Sequence, residues 1–171
     1  LPELTRQDIE VRYVSLTPEQ QELYNQIESS LYANRDRDFS MLGDFTGLKQ
    51  AAISTSLIPR YRLTCAHNHS LSLEIEPGQH EITLNGKVFR VNKDRNSGHA
   101  RQIILRSEDE VITLTDGLKM QVRGEEFQLN IRKRKVSSNK YTELDGIVEK
   151  VLINEKEKLV VFTGFMDAIE D

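Results

Sequence analysis

The sequence predicts an α+β chain: a small antiparallel β-barrel or sandwich of about seven strands, flanked by helices, with the first helix and strand of a parallel α/β lobe at the C-terminal end. Three observations carry this reading. Between residues 60 and 135 apolar residues alternate with polar ones and are punctuated by Asn-Gly, Asp-Gly and Arg-Gly pairs, the pattern of short strands joined by tight turns. Before and after that stretch apolar residues recur at helical spacing. Near the end, Lys158-Leu-Val-Val-Phe-Thr-Gly-Phe165 holds four consecutive apolar residues after a helical segment, as a buried parallel strand does.

Taken in order, Asp8 to Ser15 alternates Ile9, Val11 and Tyr13 with Asp8, Glu10 and Arg12, the period of a half-buried strand. Thr17 then stands as an N-cap, Pro18 fits the first helical position and Gln20 completes a capping box. Leu23, Ile27 and Leu31 continue that helix. A second helix is expected over Phe39 to Ser56, with Met41, Leu42, Phe45, Leu48, Ala52 and Ile53 on one face and Pro59 marking its end. Within 60–135, hairpin turns are expected at Asn85-Gly86, Asp116-Gly117 and Arg123-Gly124. A third helix places Leu144, Ile147, Val148, Val151 and Leu152 together, Asn154 to Lys158 is a polar turn, and Leu159 to Thr163 is the strand before a further helix.

Composition excludes several classes. The 171 residues are 37% hydrophobic and 29% charged, with no apolar run of the roughly 20 residues a membrane span requires. The single cysteine, Cys65, closes no internal disulfide, so a cytoplasmic protein with no membrane partner is expected. Charge is uneven: residues 60–140 carry 15 Lys/Arg against 10 Asp/Glu, whereas both flanks are acidic. The densest basic run, Arg132-Lys-Arg-Lys135, with Lys140 close behind, is the candidate nucleic-acid face; Arg60, Arg62, Arg90, Lys93, Arg95 and Arg101 are positioned to extend it. An edge strand protected by its charges has the same composition. Cys65, His67 and His69 alternate as ligands on one strand face would, but His80 and His99 are distant, and a solvated strand face is preferred to a zinc site.

Leu1-Pro2, Thr5, Val14, Leu16-Thr-Pro-Glu-Gln20 and Leu23-Tyr24, then Leu48-Lys49-Gln50, then Ser138, Lys140, Leu144 and Ile147-Val148, and finally Lys158 to Phe165 occur in an order that resembles the middle of a SWI/SNF-type helicase-like ATPase of superfamily two. The resemblance covers residues 1–59 and 136–171. It implies that 1–59 ends a first ATPase lobe, 60–135 is an inserted β-rich domain, and 136–171 opens a second RecA-like lobe. A Cys-Asn-His-Pro element usual after the Leu-Lys-Gln helix is replaced by Ala51 to Pro59.

No G-x-x-x-x-G-K-[ST] loop and no Asp-Glu-x-His occur in the chain. By the family's order they precede Leu1, and the arginine finger follows Asp171. The segment is therefore expected to hold no catalytic residue and no metal or cofactor of its own, while ATP and Mg²⁺ serve the parent translocase, whose partners are DNA and the remaining lobe sequence. The resemblance also places Thr163, Gly164 and Phe165 at a motif on the tip of the second lobe's first strand, with Thr163 either facing the cleft or capping the next helix. The other reading is a stand-alone, non-enzymatic β-barrel module that binds protein or nucleic acid.

Overall fold

The computed structural model describes residues 11–33, 41–94, 101–156 and 158–162. Helix α1, Pro18–Ala33, starts where the capping chemistry places it. The Thr17 hydroxyl accepts from the Gln20 amide at 3.2 Å and the Gln20 side-chain oxygen accepts from the Thr17 amide at 3.0 Å, so each satisfies a backbone donor of the other. Gln20 is itself buried, and its Nε2 donates to the Ala51 carbonyl at 2.9 Å, tying the start of α1 to the end of helix α2, Met41–Ile53. Leu23 and Ile27 of α1 pack with Leu48, Ala51 and Ile58 in a small separate core.

Among the side chains of α2 that are described, Asp44, Gly47, Leu48 and Ala51 are buried, and Phe45 is 48% exposed. Of the expected face Leu48 is buried, Ala52 and Ile53 are half-buried, and Phe45 is corrected to a solvent-facing position; the side chains of Met41 and Leu42 lie outside those described. The helix also stops at Ile53 rather than Ser56, because Ser54 leaves helical backbone and caps a single 3₁₀ turn, Thr55–Leu57. Residues 11–17 form no strand, and Val11 and Tyr13 are 65% and 96% exposed. Their alternation finds no neighbouring strand to pair with among the described residues; Asp8 to Glu10 lie outside them.

Among the described residues the middle of the chain forms eight strands: β1 Arg60–Cys65, β2 Leu73–Ile75, β3 Glu81–Leu84, β4 Lys87–Asp94, β5 Gln102–Arg106, β6 Val111–Thr115, β7 Lys119–Val122 and β8 Glu125–Arg132. They make two four-stranded antiparallel sheets, β2-β1-β8-β7 and β3-β4-β5-β6, not a closed barrel. One apolar core joins both sheets, drawn from every second residue: Tyr61, Leu63 and Cys65 of β1, Phe127, Leu129 and Ile131 of β8, Phe89 and Val91 of β4, Ile103 and Leu105 of β5. The fully buried Phe89 and Phe127 each contribute on the order of 1.5–3 kcal/mol by leaving water.

Turn chemistry explains where the sheets change. Asn85-Gly86 and Arg123-Gly124 have positive φ at both central residues (45° and 74°, 51° and 85°), which matches strand twist and closes the β3–β4 and β7–β8 hairpins. Asp116-Gly117 differs, and the hairpin expected there is corrected. Only Gly117 has positive φ, β6 and β7 lie in different sheets, and the Asp116 carboxylate accepts from the Ile131 amide of β8 at 2.7 Å. The turn carries the chain from one sheet to the other. At Glu76-Pro77-Gly78-Gln79 the Gln79 amide reaches the Glu76 carbonyl at 3.1 Å around Gly78 at φ 79°; a Cβ on Gly78 would lie 2.6 Å from the Ser30 side chain of α1.

Helix α3, Asn139–Val148, is capped by Ser138, whose hydroxyl accepts from the Tyr141 amide at 3.2 Å, and it runs on as a wider helical turn over Glu149–Asn154. None of its residues is buried. Residues 158–162 are not a strand, and Val160, Val161 and Phe162 are 71%, 53% and 91% exposed. The expected strand Leu159 to Thr163 is corrected to this extent: no strand stands beside it among the described residues to accept its backbone hydrogen bonds. Among the described residues no helix is long and apolar enough to cross a membrane.

Candidate nucleic-acid interface

The β1–β8 ladder pairs Arg60 with Arg132, Arg62 with Asn130 and Thr64 with Gln128. Because Tyr61, Leu63, Leu129 and Ile131 fill the core side, these six polar residues all stand on the outer face of the first sheet. Arg60, Arg62 and Arg132 are exposed there, two of them directly opposite one another and the third one pleat along. None of the three has an ion-pair partner among the described residues, although Glu74 of β2 faces Arg62 in the register. Like charges opposed across strands destabilise a sheet, and planar guanidinium forks suit a phosphate that bridges them.

Past Arg132 the basic run leaves the sheet and becomes a strap across the helices. The Thr55 hydroxyl donates to the Lys135 carbonyl at 2.5 Å, the Thr55 amide to the Ser137 carbonyl at 3.3 Å, and the Ser138 hydroxyl to the Ile53 carbonyl. Ser137 also meets the Thr17 hydroxyl at 2.7 Å and donates to Glu19 at 3.1 Å. The Glu19 carboxyl is held below its usual value by its own backbone amide first and by Ser137 next.

The strap divides the predicted basic residues by role. Arg134 is half-buried, and its Nε donates to the Ile58 carbonyl at 3.1 Å. Burial, then the neighbouring Arg60, lowers its pKa, while Glu74, Glu76 and Glu22 act the other way. That bond ties the strap to the end of the 3₁₀ turn. Arg132, Lys133 and Lys135 are exposed on or beside the sheet, and Lys140 is exposed in the first turn of α3. A cleft of about 510 Å³ runs between α1 and this edge, and its walls mix Arg60, Arg134 and Lys135 with Glu19, Glu22, Glu74 and Glu76. At this edge an anion therefore meets net positive charge on the open sheet face and not inside the cleft.

Two other predicted extensions of the patch, Lys93 and Arg90, do not converge on it. Lys93 lies over the Tyr61 ring at 5.4 Å and donates to the Glu76 carbonyl at 3.1 Å, Arg90 is on the second sheet, and Arg95 lies outside the described residues. Thr163, Gly164 and Phe165 also lie outside them. Cys65 is fully buried and its thiol donates to Glu125 at 3.6 Å, whereas His67 and His69 are exposed beyond the strand and His80 meets Asp44 at 3.0 Å. The possible ligands thus point apart; His99 is outside the described residues. Sequence reasoning did not single out Asn130, the neutral hydrogen-bonding neighbour of Arg62; the alternation of β8 marks it as outward, but only the strand register sets it beside the arginines.

No protein-family model matches the chain, and no curated protein or solved structure matches it significantly.

Proposed function

We propose that the chain is the interlobe segment of a cytoplasmic SWI/SNF-type DNA-dependent ATPase, with the sandwich inserted between lobes and its Arg60–Arg62–Arg132 face set against duplex DNA. The observation that carries the reading is where the sandwich is entered and left. Strands β1 and β8 pair antiparallel with Arg60 opposite Arg132, so the two flanks leave from one point, as an inserted domain requires. The flanks then bond to each other: Asn139 donates to the Ser15 carbonyl at 2.9 Å and Arg12 to Glu143 at 2.5 Å. The uncovered apolar residues of Leu152, Ile153 and Val160 to Phe162 suit the opening of a lobe whose other elements would cover them. In this reading ATP and Mg²⁺ belong to sequence outside the segment.

The test is ATP hydrolysis by the full-length gene product with and without duplex DNA. DNA should raise the rate, and replacing Arg60, Arg62 and Arg132 together by Ala should weaken DNA binding and reduce its salt slope by about 3, one for each phosphate contact. Absence of ATP hydrolysis under both conditions sinks the proposal. A second reading, a stand-alone binding module, is favoured by one observation: the sandwich core is separate from the core of the helical hairpin. Residues 60–135 expressed alone should then fold cooperatively and bind a partner without the flanks.

A further inference from the structure

The second sheet carries a surface of a different kind. On its outer face β4 presents Val88, Arg90 and Asn92, β5 presents Ile104 and Arg106, and β6 presents Val111 and Thr113. The register sets Glu81, Arg90, Arg106 and Val111 in one row across the four strands, with Asn92, Ile104 and Thr113 in the next. Arg90 and Arg106 are exposed and directly opposite each other on the two inner strands, where neither can swing off an edge. Neither has an ion-pair partner among the described residues.

Their surroundings are apolar and β-branched rather than basic. Val88 and Val111 are 55% and 63% exposed, and Ile104 is half-buried between Asn92 and Thr113. A phosphate-seeking surface gains from additional Lys and Arg, and these rows hold none beyond the pair. Arginine is enriched and lysine depleted at protein–protein interfaces, so two arginines beside exposed apolar side chains, with no lysine, suit a protein surface better than a phosphate backbone. Glu81 offsets one guanidinium at most, so the pair calls for a further carboxylate from outside.

From this charge complementarity we infer that the outer face of the β3-β4-β5-β6 sheet docks a protein segment that presents a carboxylate between apolar side chains, the carboxylate bridging Arg90 and Arg106 and the apolar groups covering Val88, Ile104 and Val111. This surface is on the opposite side of the sandwich from the Arg60–Arg132 face, and the inference does not depend on the ATPase reading.

The experiment is a methyl and amide NMR titration of the whole chain with a capped probe peptide, Val-Glu-Val-Asp-Val, beside its Val-Lys-Val-Lys-Val counterpart and a short DNA duplex. The acidic peptide should shift the Val88, Ile104 and Val111 methyls saturably. Arg90→Glu with Arg106→Glu should weaken it at least about tenfold and transfer the preference to the lysine peptide. Arg90→Gln with Arg106→Gln, which leaves no new charge to perturb folding, should give the weakening alone. Absence of saturable shifts at these methyls, equal response to both peptides, no effect of the glutamine variant, or duplex DNA shifting these methyls in place of the peptide each overturns the inference.

Discussion

Arg132 and Arg134 are two residues apart in one basic run, yet their surroundings give them opposite work. Arg132 ends β8 on the open sheet face, whereas Arg134 donates to the Ile58 carbonyl from a half-buried position. Truncating Arg134 to Ala leaves that carbonyl without its charged donor and should lower stability by about 1–3 kcal/mol in urea unfolding. Arg132→Ala should stay within about 0.5 kcal/mol of the parent, since it removes an exposed charge opposite a like one, and should show its effect in a DNA titration instead. Equal destabilisation by the two changes would contradict this division. Sequence composition alone treats the four cations of the run alike, because it counts charge and not the carbonyl each donor can reach.

At the scale of elements, the turns separate what was legible from what was not. Asn85-Gly86 and Arg123-Gly124 close hairpins because their residues adopt left-handed backbone locally, and local information suffices. The Thr17–Gln20 capping box was legible for the same reason. Asp116-Gly117 has the same dipeptide chemistry but a different outcome, decided by a bond to Ile131 fifteen positions away. Asp116→Ala should strand that part-buried amide and cost about 1–3 kcal/mol, while Asp116→Asn, which keeps an acceptor oxygen, should recover most of the loss. A thermal or urea series on the two variants checks it. The outward turn of Phe45 on α2 and the fate of Leu159 to Phe162 were illegible for a related reason: both depend on which surface lies opposite, which periodicity does not specify. Of the candidate site, the outward alternation of Arg60, Arg62, Asn130 and Arg132 was readable, but not their being side by side, since strand register is a tertiary property.

For the molecule as a whole, acid is the informative variable. Glu19, Asp109 and Glu126 all have carboxyl groups held below their usual values, by the Glu19 backbone amide, by Lys87 and by Lys119 respectively as the leading cause. The folded chain therefore binds fewer protons than the unfolded one between the lowered and the usual values, and stability rises with pH across that window. It is fully present above the ordinary carboxylate range and is lost as pH falls through the lowered values. A melting-temperature series from about pH 6 down to about pH 2 should fall in its lower half, with a shallower fall for Glu126→Gln and in high salt. A flat profile would mean that these exposed pairs add nothing to stability. The seam between the first and last strands has one further consequence. Because Arg60 and Arg132 sit at the same end of the ladder, a pull applied through the two flanks would open β1 from β8 like a zip, one rung at a time, not shear all rungs together. The ties from Thr55 to Lys135 and from Arg134 to Ile58 lie ahead of that first rung. They act as a stitch at the mouth of the zip, so mechanical load between the flanks is carried by the strap before any strand of the sandwich feels it.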